Sequence, residues 1–511
     1  MRDTSNRQTY IGVLTGLFSV LTQAVVGFFL TPFIVRTMGE EANGFAQLAN
    51  NFVMYASLLT LAFNSMGGRF LSVSYHRGQL EKARRYYTSL LVCNVGIVLL
   101  LLPLAAFVVL RLDTLLAIET AGVEDVKLLF LCVFLNFFAN QFVALLSMSM
   151  YVRNRMFLQN VLQLARTLLN ALILLCVFSF LDPHIYYVSA TALLLTLLLW
   201  PVCLVIHRKL LPGFRFGAGR FSFASVGQLL RSGIWNTVNQ GGHMLMTGMD
   251  LLLANLFINP VSMGVLSVSK VMPNFIIHLA TSLNGNLSPS VTIRWAQGDQ
   301  QELLKELRRG MKLSSILVAT PIMVLCGLGM EFYGLWTPSL DARSLTVLSF
   351  LACMSFVPMA GPQTLYNIFT ASNKLRVNSL SFLLTGLLNV ALVYVLLLSG
   401  SGNGIYVIAG VSAVLSMARN LVVTLPYTAH ILHLKWYEFY KDAGISTLCC
   451  AIAFGIVWAG KTLIPVTGWG SLAFVAVLTA AVSVVAELFL ILSSKERQAL
   501  KNVLLSKFAS R

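Results

Sequence analysis

Acidic residues are scarce in this chain. It has 19 Asp and Glu against 36 Lys and Arg, and the four together make only 11% of 511 residues. Soluble globular domains carry about a quarter, so a soluble globular protein is excluded. Cysteine supplies no framework either. All eight cysteines fall within apolar runs, and none has metal-ligand spacing to histidine, which argues against disulfides and zinc. No glycine-rich phosphate loop of the nucleotide-hydrolysing kind occurs. Energy for any transport must then come from gradients or substrate mass action, and no cofactor or metal is expected. Large loops outside the apolar runs are missing too, which leaves little room for a catalytic domain.

What fills the chain is apolar sequence, 57% of all residues. Fourteen runs approach the ~20 residues that cross a bilayer core. They span 10–35, 44–65, 88–110, 127–149, 157–181, 184–206, 234–257, 262–282, 313–331, 344–368, 377–398, 404–428, 443–463 and 469–492. The first is too long for a cleaved signal peptide and reads as a permanent span. The net charge of +17 does not point to nucleic acid, because it is sorted by side. Outer connections hold five cations, Arg36, Arg111, Lys127, Arg343 and Lys461, while inner ones hold 28 of the 36. That is the positive-inside pattern, and it places both termini in the cytoplasm.

The longest inner connection, 207–231, interleaves basic residues with Phe214, Phe216, Phe221 and Phe223. Such a segment suits an anionic membrane surface, and it equally suits a plain linker. It divides two similar halves. An offset of 220 puts Asn64 on Asn284, Gly44 on Gly264 and Gly78 on Gly298. An offset of 219 puts Asn154-Arg155 on Asn373-Lys374 and Leu168-Leu169-Asn170 on Leu387-Leu388-Asn389. Matches at a near-constant offset mean an internal repeat. The expected fold is an all-α polytopic membrane protein of about fourteen transmembrane helices. Residues 1–206 form an N-terminal six-helix lobe, 207–231 the basic linker and 232–430 a second six-helix lobe. Residues 431–511 add two helices and a tail. Six spans per half give both halves one orientation, related by a pseudo-two-fold axis along the membrane normal. Alternating access would follow by rocking one lobe on the other.

Charges inside the spans are the functional candidates, because ionisable groups there are costly and usually face protein, water or a ligand. Asp250 and Lys270 each lie ten residues from Pro260, on the two sides of the Asn259-Pro260 break. They should reach similar depth on adjacent antiparallel helices. As a buried pair they either hold the helices together or serve transport. If they pair, removing one leaves an uncompensated charge at a cost of roughly 3–5 kcal/mol. The double substitution should then express better than either single one. Restored expression without transport marks a functional pair, and restoring both marks helix glue. A double variant no better than the singles would mean that they do not pair.

Arg166 and Arg419 are the other in-span cations, and Arg69 sits at the inner mouth of span two. Arg419 is near enough the cytoplasmic end to snorkel, and Glu487, near the end of the last span, reads as interfacial. The surplus of positive charge suits an anionic head group such as a pyrophosphate. Asn236, Asn239, Gln240 and His243 fall broadly on one helical face, with Asp250 seven residues further on. They would meet sugar hydroxyls, or else bond neighbouring helices at roughly 0.6 kcal/mol each.

Several local features carry a family resemblance. Span one ends in Thr31-Pro32-Phe33 and runs to Met38-Gly39, with Gly44 beyond; Asn64 to Arg69 closes span two. Asn154-Arg155 precedes span five, Asp250 lies late in span seven, and Trp336 follows span nine. With the six-plus-six-plus-two layout, the chain resembles the multidrug/oligosaccharidyl-lipid/polysaccharide (MOP) exporter superfamily, and within it the bacterial O-antigen and capsule flippases. The resemblance implies a non-enzymatic transporter in the bacterial cytoplasmic membrane. It would move an anionic, undecaprenyl-pyrophosphate-linked oligosaccharide outward, in contact with membrane lipids and with other polysaccharide-assembly proteins as partners. Its substrate-binding residues would be Arg69, Arg166, Asn239, Gln240, His243, Asp250, Lys270 and Arg419, with the repeat-related Asn64 and Asn284. Two alternatives stay open. One is a cation-coupled drug or toxin extruder of the same superfamily, which should show several intramembrane carboxylates. The other is a membrane-embedded polysaccharide polymerase.

Overall fold

A computed structural model describes residues 2–153, 155–214, 221–400, 402–492, 494 and 497. Asn154 and the Arg215, Phe216 and Arg220 part of the linker lie outside the described residues. Every described element is helical, and eleven helices are long and apolar enough to cross a membrane. Four expected crossings are built differently. The first two share one element, α1 (Arg2–His76), broken at Gly39, whose φ of 85° and ψ of 166° no helix contains. The seventh is α7 (Phe223–His243), a wide π turn at Met244–Gly248, then α8 (Asp250–Phe257). The tenth is divided among α13 (Ala342–Cys353), α14 (Phe356–Met359) and α15 (Tyr366–Ala371). The count of fourteen therefore remains a reading of hydropathy.

Contacts divide the chain into two compact units, residues 1–267 and 268–511. This boundary follows packing, whereas the one at 207–231 follows the repeat. In the first unit α1 packs against α2 (Leu80–Leu110), α4 (Val123–Val152), α5 (Met156–Phe180) and α7, while α4 packs against α6 (Tyr186–Leu210). A short α3 (Leu112–Leu115) starts the outer loop. Leu71, Tyr86, Tyr87, Leu90, Leu145 and Leu229 form part of a buried core. Leu99, Leu100, Leu110 and Phe180 point outward, as a lipid-facing surface requires. The Asn259-Pro260 turn starts α9 (Pro260–Ser269): Ser262 N–H donates to Asn259 Oδ1 at 2.6 Å, and proline at the first helical position loses no bond.

In the second unit α10 (Val271–Gln297) packs on α11 (Gln300–Gly327). The last two helices, α19 (Tyr440–Leu463) and α20 (Trp469–Ile491), pack on each other and on α11. α12 (Gly329–Trp336), α16 (Arg376–Leu398), α17 (Gly404–Arg419) and α18 (Leu425–Ile431) complete it. Asp341 caps α13, and the bonds from the Ser344 hydroxyl and N–H hold its carboxyl below the usual carboxylate range.

Positions that the repeat equates behave alike. Gly78 and Gly298 both have φ of +74°, past the ends of α1 and α10. Asn64 donates to Asn94 Oδ1 (3.1 Å) and Gln141 Oε1 (3.4 Å). Asn284 donates to Gln363 Oε1 (3.0 Å) and accepts from the Ser314 hydroxyl (3.2 Å). Asn170 accepts from Thr191 at 2.9 Å, and Asn389 from Ser412 at 3.2 Å.

Candidate functional site

The seventh crossing is interrupted just before its charge. The π turn Met244–Gly248 ends where Asp250 opens α8, and the Gly248 carbonyl there accepts hydrogen bonds from Asn51 Nδ2 (3.0 Å) and Tyr55 Oη (2.7 Å) of α1. π turns of this kind recur at functional sites. One extra residue in the turn rotates the helix beyond it by about 100°. Asp250 thus leaves the face of His243: His243 is exposed, whereas Asp250 is 2% exposed. Asn239 and Gln240 are half-buried, and Gln240 reaches Met54 Sδ at 3.9 Å. Lys270 is half-buried at the break between α9 and α10, so both of these charges sit at helix irregularities.

The two arginines are held in one manner, each within its own unit. Arg166 on α5 donates to Asn140 Oδ1 (3.3 Å), Asn136 Oδ1 (3.4 Å) and the Ala192 carbonyl (3.5 Å). Thr196 fixes Asn136 by a 2.6 Å bond. Arg419 at the end of α17 donates to Tyr366 Oη (2.6 Å), Asn378 Oδ1 (3.4 Å) and Asn420 Oδ1. Its Cζ lies 3.4 Å from the centre of the Phe382 ring. At 5% exposure Arg419 is buried in protein and does not snorkel. Among the described residues no carboxylate pairs with either arginine. Both rest on neutral acceptors, Arg419 buried and Arg166 half-buried, and a cation so placed gains from an incoming anion. Arg69 is exposed on α1.

Sequence reading missed the amides that hold these arginines, Asn136, Asn140 and Asn378. No motif marks them. Gln141 and Gln363, which serve Asn64 and Asn284, stand 222 residues apart, outside the 219–220 offset, so the repeat did not mark them either. Sequence reading also missed Glu41, a carboxylate 1% exposed, which accepts the N–H groups of Glu119 (2.9 Å), Thr120 (2.7 Å) and Ala121 (3.3 Å) and the Thr120 hydroxyl. Asn255 brackets Ala117 in the same loop, through both N–H and C=O. Glu487 was expected at the interface and is instead wholly buried. A cavity of about 650 Å³ lies at the N-termini of α2 and α7, lined by Lys82, Arg85, Ser222 and Gln228 among others. It contains none of the candidate residues above.

No family model matches the chain. A curated relative, the uncharacterised membrane protein EpsK of Bacillus subtilis (strain 168), is 30% identical over 494 residues, 96% of each chain. Among solved structures, the lipid II flippase MurJ in an inward closed conformation aligns with a TM-score of 0.68 at 12% identity, covering 93% of this chain and 98% of that one. An inward-facing multidrug resistance MATE family transporter of the MOP superfamily aligns at 0.67 and 11% identity, covering 82% and 98%. The MATE multidrug transporter DinF-BH aligns at 0.54 and 16% identity, covering 84% and 97%. At these identities the solved structures establish the fold.

Proposed function

The chain belongs to the family of the Bacillus subtilis membrane protein EpsK and has the fold of the MOP exporters, and we propose that it is a flippase for an anionic lipid-linked oligosaccharide. In this reading it carries an undecaprenyl-pyrophosphate-linked oligosaccharide from the inner to the outer leaflet of a bacterial cytoplasmic membrane, for cell-surface polysaccharide assembly, with both termini in the cytoplasm. The observation that supports it is a pair of in-span arginines, one in each unit, Arg419 buried and Arg166 half-buried, each held by neutral acceptors and left without a carboxylate among the described residues. A protein built to carry cations would place carboxylates there. Arg166 and Arg419 offer guanidinium forks to phosphate oxygens, while Lys270 adds a point charge. Asn239, Gln240 and His243 supply polar groups for sugar hydroxyls, and Arg69 sits where the head group would enter.

A second reading, a cation-coupled extruder, draws on Asp250 and Glu487, two carboxyl groups buried in the spans. One experiment separates the two. Purified protein in liposomes is offered an undecaprenyl-pyrophosphate-linked oligosaccharide or a cationic dye. Flipping of the lipid alone is expected, with reporters fused to either terminus reading the cytoplasm in cells. Transport of the dye alone would overturn the flippase reading.

A further inference from the structure

Helix α20 is apolar in sequence except on one stripe. Thr479, Ser483 and Glu487 follow one another at spacing four and are all buried, so they stack on a single helical face. Thr479 gives its proton to the Val475 carbonyl at 2.7 Å. The Ser483 hydroxyl and both Glu487 carboxyl oxygens are buried without a hydrogen-bond partner. Helices α11 and α19 pack against α20. From α11, Thr320 lies beside the Glu487 carboxyl but gives its own proton to the Ile316 carbonyl at 3.0 Å. From α19 come two thiols, Cys449 and Cys450, the titratable groups that face Glu487. Helix α12 also meets α20, and its Glu331 is paired with Lys461 at 2.6 Å. Among the described residues no cation pairs with Glu487.

An ionised carboxylate in such surroundings has lost its water and received at most the neighbouring Thr320 hydroxyl in return, and groups so placed neutralise instead. One proton taken from water onto a Glu487 oxygen cancels the charge, with no other bond made or broken. The neutral acid can also serve as a donor to the idle Ser483 hydroxyl. Metal cations such as magnesium and calcium gather six or more oxygens, whereas this place offers one carboxyl and two hydroxyls. The proton can leave only if water reaches the carboxylate, which requires α20 to part from α11 and α19. Proton occupancy and helix packing are then linked states.

We propose that Glu487 is a proton-binding site of this transporter, and that taking up or losing its proton is tied to α20 closing on, or opening from, α11 and α19. The site lies on the two helices beyond the sequence repeat, and it stands whichever substrate the protein carries. The linkage has a definite sign: the closed packing is favoured at low pH and opens as pH rises. Cys449 and Cys450 are buried under the closed packing and report on it.

The test uses the full-length protein in liposomes. Maleimide labelling of Cys449 and Cys450 is read by mass spectrometry from neutral to alkaline pH, beside infrared spectra of protonated carboxyl groups. In the wild type, labelling should rise several-fold more than in Glu487→Gln, because the amide mimics the protonated acid and keeps the helices closed. Thiol chemistry works against this difference, because an ionised Glu487 disfavours the neighbouring thiolates in the wild type and the amide does not, so excess wild-type labelling reports on access. A protonated-carboxyl band at neutral pH should be present in the wild type and lost in Glu487→Gln. Equal labelling of both proteins across pH, or absence of the band, would overturn the proposal. So would labelling that falls with added sodium at fixed pH, since the site would then hold a metal ion.

Discussion

Liposomes containing the protein are expected to flip the lipid-linked oligosaccharide without ATP, and faster when their interior is made negative relative to the side that receives the head group. A pyrophosphate carries about two negative charges, so its outward movement gains roughly 4.6 kcal/mol per 100 mV. If the rate-limiting barrier feels half of that, it falls by about 2.3 kcal/mol, or about fifty-fold in rate. Barriers of this kind come from stripping water off the head group. In the proposed mechanism Arg166 and Arg419 would replace that water, since each lacks a carboxylate partner among the described residues. A charged hydrogen bond is worth roughly 1.5–3 kcal/mol. Arg166→Ala and Arg419→Ala are thus each expected to slow flipping by about ten- to a hundred-fold. Folding should survive Arg166→Ala, because the Asn136 oxygen keeps its bonds from Thr196 (2.6 Å) and Asn140 (3.0 Å). Lys270→Ala should slow flipping as well, while Lys270→Arg should keep more activity, because charge is what that position supplies. Rates insensitive to potential and to all three alanine substitutions would sink the mechanism.

The second large effect is expected at Gly233, where α7 crosses α1. A Cβ there would run into the Ala62 carbonyl oxygen and lie 2.9 Å from its carbon, with Ser65 Oγ at 3.0 Å. Backbone atoms cannot swing aside, so α7 would have to back away from α1. Gly264 is in the same position, with a Cβ 2.5 Å from the Glu40 carbonyl carbon and 2.9 Å from Glu41 N. Overpacking typically costs 1–3 kcal/mol and occasionally more, and these clashes with rigid backbone belong at the top of that range. Close backbone approach at small residues is also the main packing device of membrane helices, so the loss is not recovered by burying lipid-facing surface. Gly233→Ala and Gly264→Ala should each lower the unfolding temperature in detergent sharply. Gly227→Ala, on the same helix but with no atom within 4 Å of its Cβ, should leave it unchanged or raise it slightly. Wild-type stability of Gly233→Ala would mean that α1 and α7 do not approach as closely as this.

The sequence by itself determined the class of the molecule. Apolar runs of membrane length, basic inner loops and the repeat offset are one-dimensional properties, and membrane insertion reads them in one dimension. The offset even carried the equivalence of Asn64 with Asn284, whose amide networks match. Tertiary structure decided which way each side chain faces. The π turn before Asp250 turns that carboxyl away from His243, and nothing in the residues Met244–Gly248 announces it. Glu487 lies near the end of its apolar run, which sets depth in the membrane but not azimuth. Packing of α11 and α19 on one face of α20 buried it. The same holds for Arg166 and Arg419: their depth was legible, but Asn136, Asn140 and Asn378 come from helices distant in sequence. Only helix packing brings together groups that no local spacing relates, and it is packing that left two cations with neutral partners.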